Sequence, residues 1–183
     1  MTGRGAMEQG EHGCKSRIEW TGNRGQGTAS YRGYDRTWDI AVPGKVVVHC
    51  SNDPLLGGDP ARMNPEDLLL SALSACHMLW FLHLASSTGI VVHSYADTPL
   101  GIGRSAPDGS GQFVRAVLRP RIGLARMADA ARADALHHEV GGYCFIARSV
   151  NFPVAHEASY HPAEAAAAGN RAGTDMRPDS FAL

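Results

Sequence analysis

From Leu68 to Ala96 the chain carries no Asp, Glu, Lys or Arg, and a stretch this apolar has to be kept out of water. Its beginning is marked by Asn64-Pro65-Glu66-Asp67. Asn64 offers an oxygen to the first unpaired N–H groups of a helix, proline suits the first helical position, and acidic side chains favour the positive end of the helix dipole. Gly89 marks the end. These signals predict one helix of about 24 residues, about 36 Å long. Residues 68–85 alone are long enough to raise the question of a membrane span. Ser71, Ser74, His77 and His83 interrupt the run, however, and no Lys or Arg flanks it closely. The expectation is a central buried helix in a soluble domain, with no membrane partner.

The full chain has 183 residues, enough for one domain with a real core and no metal or disulfide staples. Seventeen basic residues against 18 acidic ones leave a net charge of −1, so the phosphate-neutralising surface of a nucleic-acid binder is not expected. The four cysteines, at positions 14, 50, 76 and 144, show no CxxC spacing, and the N-terminus is polar. That pattern favours reduced thiols and a cytoplasmic location. Residues 1–12 and 160–183 are rich in Gly, Ala and polar types. They read as a loose N-terminal segment and a disordered C-terminal tail around a single domain at 13–159.

Residues 14–20 alternate strictly, with Ser16, Ile18 and Trp20 on one face, and read as a half-buried strand. Further strands are expected at 28–34, 37–42 and 45–50, forming an antiparallel meander. A Pro- and Gly-rich loop follows at 51–63. Beyond the long helix, strands are expected at 91–97 and 112–124. A second helix at 128–140 should stop at Gly141-Gly142, followed by a short helical piece at 144–150 and a last strand at 151–156. The fold class is therefore α+β, with antiparallel sheets packed around a long central helix.

Cys76 sits midway along that helix, with Ala72, Leu73, Leu79, Trp80 and His83 around it. Burial among such groups quiets a thiol, so Cys76 reads either as core or, with a cation near, as a nucleophile. Paired with Cys144, it could run a redox cycle without a cofactor. His77, His83, His137 and His138 lack the loop spacing of a zinc site. Adjacent His137 and His138 would point about 100° apart on a helix, so no metal is expected. Asp129, Asp134 and Glu139, alternating with Arg126 and Arg132, read as a solvated helix face.

Asn64-Pro65-Glu66, Cys76 ten positions beyond Glu66, Cys144 before a final strand, and the Gly25-Gln26-Gly27-Thr28 turn after a Trp-bearing strand together resemble the OsmC/Ohr family. These are the osmotically induced and organic hydroperoxide resistance proteins. The similarity covers roughly residues 14–158. It implies an intertwined homodimer and thiol-dependent reduction of organic hydroperoxides. The implied reductant is an external dithiol, a lipoyl group or lipoylated protein, and no bound cofactor is called for. By position, Cys76 matches the peroxide-attacking cysteine, Cys144 the resolving cysteine and Glu66 the carboxylate that orients a catalytic arginine. Arg36 and Arg62 are the candidates for that arginine, with Arg36 preferred. Leu79, Trp80, Tyr143 and Phe145, with Met78, are candidate walls of a substrate pocket. Two departures mark this chain: Phe145 follows Cys144 where proline is common, and His77 follows Cys76 where phenylalanine is common. The alternative is a non-enzymatic protein of the same fold that binds a small hydrophobic ligand.

Overall fold

The computed structural model describes residues 11–163. The expectations for the outermost termini, 1–10 and 164–183, lie outside the described residues. The chain forms two compact units, Met1–Leu68 and Leu69–Leu183.

The first unit holds a three-stranded antiparallel meander, β1 (Arg17–Trp20), β2 (Trp38–Ala41) and β3 (Val48–Cys50), in that spatial order. The meander agrees with the sequence reading, but two details differ. Residues 28–33 form turns and bends instead of a strand, and Tyr34 makes only a single bridge to Asn23. The glycines at 25, 27 and 33 supply turn conformations that a ladder does not use, Gly25 and Gly27 at positive φ. The strand β1 is exposed along its length, Ile18 included, so alternation here marks a face without marking burial. The loop at 51–63 is present and contains one short 3-10 turn, Pro54–Leu56.

The helix α1 (Pro65–Ser87) starts and ends where the sequence signals it. The Asn64 side chain accepts from the Asp67 N–H (2.8 Å) while Asp67 accepts from the Asn64 N–H (3.0 Å). This reciprocal capping box satisfies two donors. Gly89 takes φ +74°, a left-handed conformation open to glycine without strain, as the chain leaves the helix.

In the second unit, Leu73, His77, Phe81 and Ala85 form the buried stripe of α1, spaced every four residues. The strands β4 (Val92–Asp97), β7 (Pro120–Leu124) and β9 (Ser159–Pro162) make one sheet, and β5 (Leu100–Ser105), β6 (Gly111–Leu118) and β8 (Val154–His156) make another. β4 pairs with β7 and β5 with β6 antiparallel, but β6–β8 and β7–β9 are parallel. That departs from the all-antiparallel expectation. Its cause is the intervening helix α2 (Ala130–Tyr143), a crossover that returns the chain to the end from which it left, as parallel pairing requires. β5 and β9 were not anticipated. β5 is short and carries two glycines, while β9 ends on a proline.

The second helix does not stop at Gly141-Gly142 but continues through both to Tyr143. Neither glycine takes positive φ, so nothing at this position turns the backbone out of the helix. Asp129, expected on a solvated face, is buried and held by Arg126 and Arg132 at 2.9 Å each. Arg132 also donates to the Thr88 carbonyl at 2.8 Å, tying the start of α2 to the chain just past α1. Phe81, Ala85, Ile90, Ile122, Leu124, Ala133, Leu136 and Val140 fill the core between α1, α2 and the β4–β7–β9 sheet.

Removing the cap of α1 tests how far that helix depends on its sequence-encoded start. Asn64→Ala is expected to lower stability in urea unfolding by about 1 kcal/mol; an unchanged midpoint would mean that tertiary packing alone fixes the helix start.

Candidate functional site

Cys76 and Cys144 meet. Cys76, half-buried on α1, packs against the core cluster that contains Cys144. Cys144 caps the C-terminal end of α2 and is 1% exposed. Both thiols are free, and they interact side chain to side chain. Burial pushes the Cys144 thiol up to about 11, with the neighbouring Cys76 thiol acting in the same direction; the Ala147 N–H, donated to Cys144 Sγ at 3.4 Å, offsets part of the shift. Cys144 therefore keeps its proton at neutral pH. The continuation of α2 past Gly141-Gly142 is what carries Cys144 to this position.

Two columns of contacts fix the crossing of α1 and α2. In one, Cys76 meets Cys144 and Trp80 lies on Tyr143, ring centroids 5.0 Å apart and planes at 25°. In the other, Phe81 stacks on His137 at 4.4 Å and 13°, and His77 Nε2 is hydrogen-bonded to His137 Nδ1 at 2.7 Å. On the α1 side each column is an i, i+4 pair, Cys76 with Trp80 and His77 with Phe81, whereas α2 supplies the adjacent Tyr143 and Cys144 to the first and His137 alone to the second. The two imidazole planes lie within 9° of each other. His156 on β8 lies against His137 with centroids 4.9 Å apart, and His138 meets His156 edge-on at 4.9 Å.

His77 and His137 are both buried. Burial lowers His77 to about 4, with His156 acting in the same direction. It lowers His137 to about 3, with His77, His156 and His138 adding to it. Both imidazoles are neutral at pH 7, so the bond between them has one N–H donor and one lone-pair acceptor. His137 Nε2 is buried without a hydrogen-bond partner among the described residues. A bare acceptor is the less costly orphan, which favours the tautomer in which His137 Nδ1–H donates to His77. The sequence reading separated His137 from its neighbour by direction. In the structure His137 is buried and His138 is exposed. It did not foresee the His77–His137 bond, although His137 shares a face with the apolar positions Ala133, Val140 and Cys144. Among the described residues no three His, Cys, Asp or Glu side chains are placed to hold a metal ion.

The carboxylate and arginine candidates belong to the first unit. Glu66 stands in the first turn of α1, about 15 Å of helix rise from Cys76. Arg36 lies in the segment before β2, not on a strand. Its guanidinium donates to the carbonyls of Tyr34 and Tyr31, both at 2.9 Å, and sits over the rings of Tyr31 (4.4 Å) and Tyr34 (4.5 Å). Arg62 pairs with Asp59 at 3.1 Å. Among the described residues no ion pair joins Glu66 to either arginine. Of the expected pocket walls, Leu79, Tyr143 and Phe145 are exposed, at 63%, 53% and 60%, and Trp80 is half-buried. They form an apolar fringe beside the thiol pair. Of the remaining cysteines, Cys14 is exposed and Cys50 is fully buried, its S–H directed at the Val48 carbonyl.

The sequence profile of the OsmC-like protein family matches residues 57–159. The chain belongs to the OsmC-like family. The match includes Glu66, Cys76 and Cys144. An OsmC-like protein of unknown function from Vibrio cholerae is 26% identical and superposes with a TM-score of 0.72, over 79% of this chain and 97% of that one. An organic hydroperoxide resistance protein OsmC from Legionella pneumophila is 16% identical with a TM-score of 0.58, over 82% and 98% of the two chains. An organic hydroperoxide resistance protein from Elizabethkingia anophelis, with thiocyanate bound, is 16% identical with a TM-score of 0.54, over 69% and 89%. The last two share the OsmC-like fold at identities too low to carry more than the fold. No curated protein is similar enough to match.

The histidine pair makes stability depend on pH in a definite direction. An imidazole depressed in the folded state is protonated first in the unfolded chain, near its ordinary value of about 6.5. The stabilisation is complete above that pH and falls as pH drops toward the folded values of about 4 and 3. Urea midpoints are expected to decline between pH 7.5 and 4.5, and His77→Phe should flatten that decline. An equal slope in wild type and variant would contradict the burial of a neutral pair.

Proposed function

We propose that this OsmC-like protein is a thiol-dependent peroxidase that reduces organic hydroperoxides through Cys76 and Cys144. The observation that carries the reading is the contact between two free thiols at the crossing of α1 and α2. Because Cys144 holds its proton, the attack falls to Cys76, the more accessible of the two. The Cys76 thiolate attacks the terminal peroxide oxygen, the O–O bond breaks, and the alkoxide leaves as an alcohol after taking up a proton. Cys76 becomes a sulfenic acid. Cys144 then attacks the Cys76 sulfur, releasing water and forming the disulfide before further oxidation can occur. An external dithiol of the lipoyl type restores both thiols by exchange. The apolar fringe of Leu79, Trp80, Tyr143 and Phe145 favours a bulky organic peroxide over hydrogen peroxide.

Arg36 is proposed to stabilise charge on the departing oxygen, with Glu66 as its orienting carboxylate. The helical rise between Glu66 and Cys76 argues that one chain does not complete the site alone, so the proposed active species is a homodimer. The apolar character of α1 supports this. The helix is long and apolar enough to span a membrane, yet only 22% of its most apolar window is buried within the chain. A second copy would cover it in an aqueous, cytoplasmic protein. Nucleic acid has no part in this reading.

Mixing the reduced protein with cumene hydroperoxide in a stopped-flow instrument tests it. Cys76→Ser should abolish peroxide consumption, while Cys144→Ser should consume one equivalent and stall at the sulfenic acid. Arg36→Ala should slow the first step by about 100-fold, in line with removal of a group that stabilises developing charge. Equal rates in wild type and Cys76→Ser would exclude the peroxidase and favour the hydrophobic-ligand binder.

A further inference from the structure

The contacts between α1 and α2 are of two kinds. Trp80 on Tyr143 and Phe81 on His137 are ring contacts, and such faces can slide with little loss. The 2.7 Å bond from His77 Nε2 to His137 Nδ1 is directional and weakens steeply when misaligned. It joins the residue directly after Cys76 to the residue two helical turns before Cys144. A rotation of α1 that broke the histidine bond would also swing Cys76, whose direction differs from that of His77 by only one residue step of about 100°.

We propose that His77 and His137 are positioning residues, an imidazole latch that fixes the rotation of α1 against α2 and so holds the Cys76 and Cys144 sulfurs in bonding register. Neither imidazole touches the peroxide in this role. The latch acts on the second step of the proposed cycle, disulfide closure, by keeping Cys144 at high effective concentration beside Cys76. It takes the thiol pair from the proposed peroxidase reading but needs only that the two thiols can be oxidised. His77 stands where phenylalanine is common in the family resemblance. The histidine thus exchanges an apolar contact for a polar link, and burying two imidazoles is a cost that a merely packed core would not incur.

Equilibration with dithiothreitol isolates the latch from peroxide chemistry. Oxidised dithiothreitol accepts two electrons and two protons as its ring disulfide opens, and Cys76 and Cys144 lose the same as their S–S bond forms. The exchange constant of the full-length protein therefore reports the effective concentration of one thiol at the other. His77→Leu/His137→Leu removes both polar groups together and so leaves neither orphaned. It is expected to lower the constant by at least about tenfold, about 30 mV for a two-electron couple. His77→Phe should do the same and serves if the double variant does not fold. Gln places an amide atom where His77 carries Nε2, and Asn places one where His137 carries Nδ1. His77→Gln and His137→Asn should therefore stay within about threefold of wild type, because one hydrogen bond of ordinary strength is retained.

A constant in the Leu or Phe variants equal to wild type would overturn the latch. So would Gln and Asn variants that fall as far as Leu, or a fall that simply tracks the urea midpoint across the set. A wild type that forms no Cys76–Cys144 disulfide in this exchange would also overturn it. Loss of peroxide turnover with the exchange pattern intact would remove the peroxidase reading and leave the latch standing.

Discussion

The crossing of α1 and α2 is the constraint on which the rest of the second unit depends. One helix is apolar along nearly its whole length and the other buries only a single stripe, Ala133, Leu136, His137 and Val140. Their contact therefore sets which residues of α1 face inward. Once Phe81 lies on His137 and Trp80 on Tyr143, Cys76 is committed to face the end of α2, where Cys144 is held. The Asp129 clamp strengthens the same arrangement from the other end, because Arg132 reaches both Asp129 and the Thr88 carbonyl. Chemistry and packing here share one geometry: the contact that excludes water from the core is the one that brings two sulfurs together.

Polar groups in this core carry a cost that has to be met locally. Ser74 donates to Asp97 at 2.5 Å, and the other Asp97 oxygen accepts from the Arg119 N–H at 2.6 Å, so that carboxylate is satisfied between α1 and its flanking strands. The histidine pair is satisfied only in part, since His137 Nε2 and the Tyr95 hydroxyl are buried without partners among the described residues. Burial also raises the Tyr95 and Tyr160 hydroxyls above their ordinary values, so both remain protonated donors at neutral pH.

Much of this was legible in the sequence because it is locally encoded. Asn64, Pro65, Asp67 and Gly89 define α1 within the chain segment itself, and the spacing from Glu66 to Cys76 needs no tertiary knowledge. The residues that escaped notice depend on partners far along the chain. Gly141 and Gly142 look like a helix stop, since glycine lowers helix propensity, yet the packing of Val140 and Cys144 on the core carries the helix through them. The turn at 28–33 is hard to tell from a strand locally because Thr28 and Tyr31 favour strands while the neighbouring glycines decide otherwise. The parallel pairing of β8 and β9 follows from a crossover that no local pattern announces. The His77–His137 bond spans 60 positions, and a lone histidine on an apolar face carries no signal of its partner.

The central claim is that this fold, without help from any peroxide, holds Cys76 and Cys144 next to each other. Mild oxidation of the reduced protein with diamide at low protein concentration, followed by proteolysis and mass mapping of disulfide-linked peptides, measures this directly. The predicted result is one dominant intramolecular product joining the peptides that contain Cys76 and Cys144, with Cys14 and Cys50 recovered as free thiols. A dominant link from Cys76 to either other cysteine, or four free thiols after full reagent consumption, would contradict the arrangement of α1 and α2 from which everything else follows.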